Sequence, residues 1–112
     1  MKIEPATAKN KKFKAVFSHI VDGKYRKIKT SSFGDSRYSD YTQHKDKARR
    51  LKYRSRHKVD LDNGNYMSPG FLSWGLLWGD STSLDTNIKS YIKKLYCKVI
   101  IFMDLTFGYI LF

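Results

Sequence analysis

At 112 residues the chain is long enough for one domain with one hydrophobic core. With 41% hydrophobic and 15% aromatic residues it is too apolar for a disordered tail, although 22 Lys or Arg against 10 Asp or Glu leave a net charge of +12. Such an excess repels itself in a compact fold and calls for an acidic partner: nucleic acid most commonly, anionic membrane or an acidic protein surface otherwise.

The N-terminus, MKIEPATAKNKKFK, is basic but has no apolar core segment, so it does not read as a secretory signal, and residues 1–11 are expected as a solvated basic arm. From Lys12 to Thr30 two runs flank Asp22-Gly23, which predicts a β-hairpin. With Val21 opposite Lys24, a regular ladder sets Phe17 opposite Ile28 and Ala15 opposite Thr30 on an inner face. Lys14, Val16, Ser18, Lys27 and Lys29 then form a mostly basic outer face. Residues 31–43, SSFGDSRYSDYTQ, read as a loop whose Tyr38 and Tyr41 cover the core edge in preference to stacking on bases.

A helix is expected from His44 to Lys58, with Asp46 in its first turn and cations towards its end. Ala48, Leu51, Ser55 and Val59 follow helical spacing and are expected to face the core, which leaves Arg50, Tyr53, Arg54 and His57 on an exposed side. SPGFLSWGLLWG, Ser68 to Gly79, has Ser at an N-cap, Pro at the first helical position and a closing Gly, so it predicts a short buried helix with Trp74 and Trp78 as core anchors. Ser83 caps a further helix whose stripe is Leu84, Ile88, Tyr91, Ile92 and Leu95. The apolar end VIIFMDLTFGYILF would span only about 21 Å as a helix, and Asp104 interrupts it, so one membrane crossing is disfavoured. A terminal strand, or a helix followed by a strand, packed on the sheet is expected ahead of a tail buried by a partner or dipping into lipid.

The elements together predict an α+β fold: an N-terminal β-hairpin packed against about three helices, with residues 12–95 as the domain and 96–112 as an apolar tail. Lone Cys97 has no partner for an internal disulfide, which fits a reducing compartment.

The chemical motifs are thin. His44 and His57 on one continuous helix lie about 20 Å apart, too far to share a zinc ion, and Asp60, Asp62, Asn63 and Gly64 depart from a calcium loop in glycine position and final Glu. Neither GxxxxGK[ST] nor GxGxxG occurs. No metal, cofactor or catalytic residue is therefore assigned, and a metal-dependent nuclease using His44 or His57 is the third reading.

Charge patterning carries the leading one. Residues 45–58 hold eight Lys or Arg and one acid, and residues 1–30 hold nine and two, so each block is +7. A solvated helix normally intersperses acids among its cations. The predicted phosphate-contacting residues are Arg49, Arg50, Lys52, Tyr53, Arg54, Arg56 and His57, assisted by Lys27 and Lys29. The alternative is a small structural or cement protein whose basic face meets an acidic partner and whose apolar tail a neighbour buries.

FGDSRYSDYTQHKDKARRLKYRSRH, followed by GFLSWGLLWGDSTSLDTNIKSYIKK, resembles an uncharacterised small-domain family of giant nucleocytoplasmic large DNA viruses and some algae. The resemblance lies on Phe33, Gly34, Asp40, Tyr41, Thr42, His44, Asp46, Arg49, Tyr53, Arg56, His57, Leu77, Trp78 and Gly79, within residues 12–95. It implies a setting, a virion or the viral factory in host cytoplasm, and no reaction.

Overall fold

The computed structural model describes residues 1–107, with side chains through Leu95. A three-stranded antiparallel sheet in the order β1-β2-β3 comes first: β1 Lys2–Pro5, β2 Lys11–Val21 and β3 Lys24–Asp35. Helical segments follow, α1 Tyr41–His44, α2 Lys47–His57, α3 Val59–Asp62 and α4 Pro69–Leu72, then a π-helical turn Ser73–Leu77 and α5 Leu84–Phe107. The α+β class expected from the sequence is the observed one.

The first correction is the arm. Lys2–Pro5 pairs with β2, Ile3 opposite Ala15 and Glu4 opposite Lys14, and Met1 and Ile3 pack against the core. Four residues ending in proline are a weak strand signal, and the docking of Ile3 on Ala15 overrides the expectation of fraying.

The hairpin forms at Asp22-Gly23, both residues at positive φ (52° and 76°), with Val21 opposite Lys24 as expected. Its ladder then departs from the regular register at a bulge. Ser18 pairs with Lys27 but Phe17 pairs with Lys29, leaving Ile28 as the extra residue. The consequence is physical: a bulge-free ladder would put Phe13 opposite Ser32 and turn Phe33 to solvent, whereas the bulge sets Phe33 opposite Phe13 and buries it completely. Lys29 now shares a face with Phe17 and Lys27 with Ser18, so the two lysines do not form one outer surface.

The strand also runs further than expected, because Ser31, Ser32, Phe33 and Gly34 belong to β3 rather than to a loop. Gly34 sits at φ 78°, and a β-carbon there would come within 2.7 Å of Leu77 Cδ1, so the residue provides both the backbone turn and the room for the helical layer. Tyr41 is buried at 5% exposure, but Tyr38 is 69% exposed and covers no core edge.

The expected helix from His44 is broken in two. Asp40 caps α1 through a capping box with Gln43, Lys45 turns left-handed at φ 60°, and Asp46 caps α2 by accepting from the N–H groups of Ala48 (3.0 Å) and Arg49 (3.2 Å). Ser68 accepts from the Phe71 N–H at 3.3 Å and Pro69 opens α4, as expected, but the helix widens into the π turn that presents Leu76 and Leu77 to the sheet. Ala15, Phe17, Phe33, Leu72, Leu76, Leu77 and Tyr91 make the buried core; Trp78 packs against it from one side.

Asn87, buried on α5, ties the layers. Its amide donates to the Leu76 and Ser81 carbonyls at 2.9 and 2.8 Å, and its carbonyl accepts from the Ser81 N–H at 3.0 Å. Leu84, Ile88 and Leu95 face the core as expected, whereas Ile92 remains 39% exposed. The α5 backbone is helical to Phe107, so the terminal strand expected for the tail is absent to that point, and residues 108–112 lie outside the described residues. Among the described residues no helix is long and apolar enough to cross a membrane.

Candidate functional site

Helix α2 is rotated relative to its apolar pattern. Leu51 and Val59, expected to face the core, are 64% and 67% exposed, and Ala48 and Ser55 are exposed with them. The inward face consists of Arg50, Tyr53, Arg54 and His57, the residues expected outside. One leucine and one alanine offer little area, whereas arginine stems and a tyrosine ring bury much more, and most of their polar ends find partners, the exception being the buried Arg54 Nε, which has none among the described residues.

Those partners are specific. Arg50 Nε donates to the Gly79 carbonyl at 2.7 Å and Nη2 to Asp80 at 2.8 Å, with the guanidinium carbon 5.5 Å from the Tyr41 ring centre. Arg54 lies over Trp74 at 4.6 Å and reaches Asp80 at 3.4 Å, and burial pushes its pKa below the ordinary arginine value. These two cations clamp α2 to the turn at Gly79 and Asp80. Trp74 is accordingly covered by α2 and stands apart from the central core cluster, a difference from the anchor role expected for it.

Between the clamps runs a column of rings. His57 stacks on Tyr53 with centroids 4.2 Å apart, Tyr53 stacks on Trp78 at 4.2 Å, and Trp78 meets His44 at 5.2 Å. The two histidines thus stand at opposite ends of a four-ring column, so they cannot share a metal ion. Among the described residues no three His, Cys, Asp or Glu side chains converge as a metal site.

His44 is held neutral. Its Nδ1 accepts the Asp46 N–H at 2.9 Å, which places the proton on Nε2, a buried atom without a partner among the described residues. Burial first, then the Arg49 charge, push its pKa below the ordinary 6.5. Burial pushes the Tyr53 hydroxyl up to about 12, the Asp60 carboxylate adding to the effect, so it stays protonated at neutral pH.

The other side of α2 opens on a cleft of about 640 Å³ between the end of β3, the 36–40 turn and the α4 layer. Arg49, Lys52 and Arg56, at i, i+3 and i+7, form its α2 wall, with Lys11 from β2 and Tyr53 and Trp78 also in its lining. Three carboxylates also line it; two are paired with full cations and the third is hydrogen-bonded to a histidine. Asp35 is held by Arg37 (2.8 Å), Asp40 by Lys12 (2.5 Å), and Asp60 lies 3.1 Å from His57 Nδ1. Arg49, Lys52, Arg56 and Lys11 have no ion-pair partner among the described residues. The cleft therefore carries an excess of positive charge that nothing described in the protein neutralises.

Of the residues expected at the interface, Arg49, Lys52 and Arg56 line the cleft from its outer wall, Tyr53 and His57 line it from the ring column, and Arg50 and Arg54 clamp the turn instead. Lys27 and Lys29 sit on the hairpin and do not line it. Lys11 was not among the expected site residues, and Tyr38 was expected at the core edge ahead of a stacking role. Lys11 stood in the expected arm, and Tyr38 became a rim residue only because β3 extends to Asp35 before turning.

Fold and cleft define a small α+β protein with a basic groove between its sheet and α2. A model for a family of unknown function (DUF5754) matches residues 1–57, just over half of the chain and all of β1 through α2, and the chain belongs to that family. No curated protein and no solved structure matches.

Proposed function

We propose that the protein binds nucleic acid through its phosphates, without reading sequence and without catalysis, and that its setting is the particle or factory of a giant DNA virus. The observation that supports this most is the stripe Arg49, Lys52 and Arg56, three cations on one helix face with no ion-pair partner among the described residues. Cations that only keep a surface soluble are usually interspersed with acids, and on this face there are none. Lysine and arginine without base-reading geometry position a nucleic-acid backbone and carry no sequence information. The viral setting rests on the resemblance of the FG, DYTxHxD, RxxxYxxRH and LWG segments.

Fluorescence anisotropy of a labelled oligonucleotide over a salt series tests the reading. Changing Arg49, Lys52 and Arg56 together to Gln removes three phosphate contacts, which should flatten the log–log slope by about 2 on a single strand and by about 2.7 on a duplex. Equal slopes for parent and variant would overturn it.

A second reading, a small structural protein of the particle docked on an acidic partner, is favoured by apolar groups left outside. Ile20, Tyr25 and Ile28 near the hairpin tip are more than half exposed, as are Leu51 and Val59. Deleting residues 97–112 separates the readings, since nucleic-acid affinity survives under the first and particle incorporation collapses under the second.

A further inference from the structure

The cleft has a second feature besides its charge. Tyr38, a large aromatic ring at 69% exposure, stands on the same lining as the α2 cations. An exposed ring is unremarkable alone, but this one is carried by a turn that is fixed. Arg37 donates from Nε and Nη2 to both oxygens of Asp35 (3.0 and 2.8 Å), the Arg37 N–H donates to the same carboxylate at 3.0 Å, and the Tyr38 N–H closes on the Asp35 carbonyl at 3.2 Å. The pairing holds the Asp35 carboxyl down at about 2, through its hydrogen bonds to Arg37, so the carboxylate remains ionised and able to accept from Arg37 across the working pH range.

We propose that the cleft holds one unpaired nucleotide, its base stacked on Tyr38 and its phosphate held by Arg49, Lys52 and Arg56, so that the ligand is single-stranded nucleic acid. The inference rests on the phosphate-binding reading above and narrows it. A volume of about 640 Å³ falls in the range of small-ligand sites and is large enough for one nucleotide. Two of the three carboxylates in the lining are offset by full cations, Asp35 by Arg37 and Asp40 by Lys12, and Asp60 is hydrogen-bonded by His57. A base inside a duplex has both faces covered by its neighbours, so only an unstacked base presents a face to Tyr38. An aromatic platform beside a cationic track is the arrangement that binds single strands with little sequence preference, since every base has a π-face.

The test uses the full chain with a labelled oligothymidylate 12-mer and, separately, a labelled 12-base-pair duplex at the same salt. The wild-type protein should bind the single strand more tightly. Tyr38→Ala should lose about tenfold in single-strand affinity with its salt slope unchanged and duplex affinity within about twofold, while Tyr38→Phe stays within about twofold on both. Tyr38 is exposed, and a thermal melt of each variant confirms that the fold is intact. Two results overturn the inference: tighter duplex binding by the wild type, or a Tyr38→Ala loss that is nil or equal on both probes. If the Arg49, Lys52 and Arg56 variant loses affinity while Tyr38→Ala does not, the nucleotide pocket fails and the phosphate reading stands. If the cation variant loses nothing, both fail.

Discussion

The ring of Tyr53 lies flat on the indole of Trp78, centroids 4.2 Å apart and planes inclined by 6°, joining α2 to the segment after the π turn, 25 residues later in the chain. This contact fixes the rotation of α2, and the rotation decides which cations face the protein and which face the cleft.

Tyr53→Ala should therefore destabilise the fold by about 2 kcal/mol, less than a fully buried aromatic because the ring is half-buried. Tyr53→Phe keeps both stacked faces, loses the hydroxyl's hydrogen bond with Ser73, and should cost about 1 kcal/mol. Urea titrations of the two variants check this, and a large loss with phenylalanine would assign the role to the hydroxyl instead of the ring.

The clamp at Arg50 gives a second expectation. Arg50→Gln removes the donors to the Gly79 carbonyl and to Asp80, and should cost about 1–2 kcal/mol. Asp80 is 83% exposed, so most of that loss belongs to the Gly79 carbonyl, and Asp80→Asn should cost under about 1 kcal/mol. Melting curves at low and high salt distinguish the two contributions, the Asp80 share alone fading with salt.

Gly79 is held by its surroundings. A β-carbon there would overlap the Gly75 carbonyl oxygen and approach Asn87 Cγ at 2.9 Å, and neither the backbone oxygen nor the hydrogen-bonded amide has room to withdraw. Gly79→Ala should destabilise by more than about 2 kcal/mol, readable as a lowered urea midpoint.

His44 sets a pH dependence. Its folded-state pKa lies below 6.5, so the unfolded chain takes up the proton more readily. The corresponding stability is present in full above the ordinary histidine range and is lost as pH falls below about 6.5. Unfolding midpoints at pH 7.5 and 5.5 should drop more for the parent than for His44→Gln; an equal drop would place the pH response elsewhere.

Local chemistry carried much of the fold. Asp22-Gly23, Ser68-Pro69 and Ser83 each form the turn or cap their residue types favour, because those interactions are complete within a few residues. Long-range geometry was not legible. The bulge at Ile28 exists to bury Phe33 against Phe13, and α2 turns its arginines inward because Trp74, Trp78 and the Gly79 carbonyl receive them. The cation-rich helix was visible as the candidate site, but a thin stripe, Ala48, Leu51, Ser55 and Val59, all exposed in the fold, assigned its faces the wrong way round. Tyr38 reads as a base-stacking ring only behind a core-edge role, because a Tyr in a Ser/Gly/Asp-rich segment carries no signal of where β3 ends.

On the proposed reading, α2 has two basic faces with different roles, one structural and one for phosphate. The most direct measurement pairs thermal melting with oligonucleotide affinity for two variants: Arg50→Gln with Arg54→Gln, and Arg49→Gln with Lys52→Gln and Arg56→Gln. The account predicts that the first pair lowers the melting temperature by several degrees, while the triple variant melts as the parent does and loses most of its affinity with a flatter salt slope. A triple variant that keeps its affinity, or an Arg50 and Arg54 variant that melts like the parent while losing affinity selectively, would contradict it.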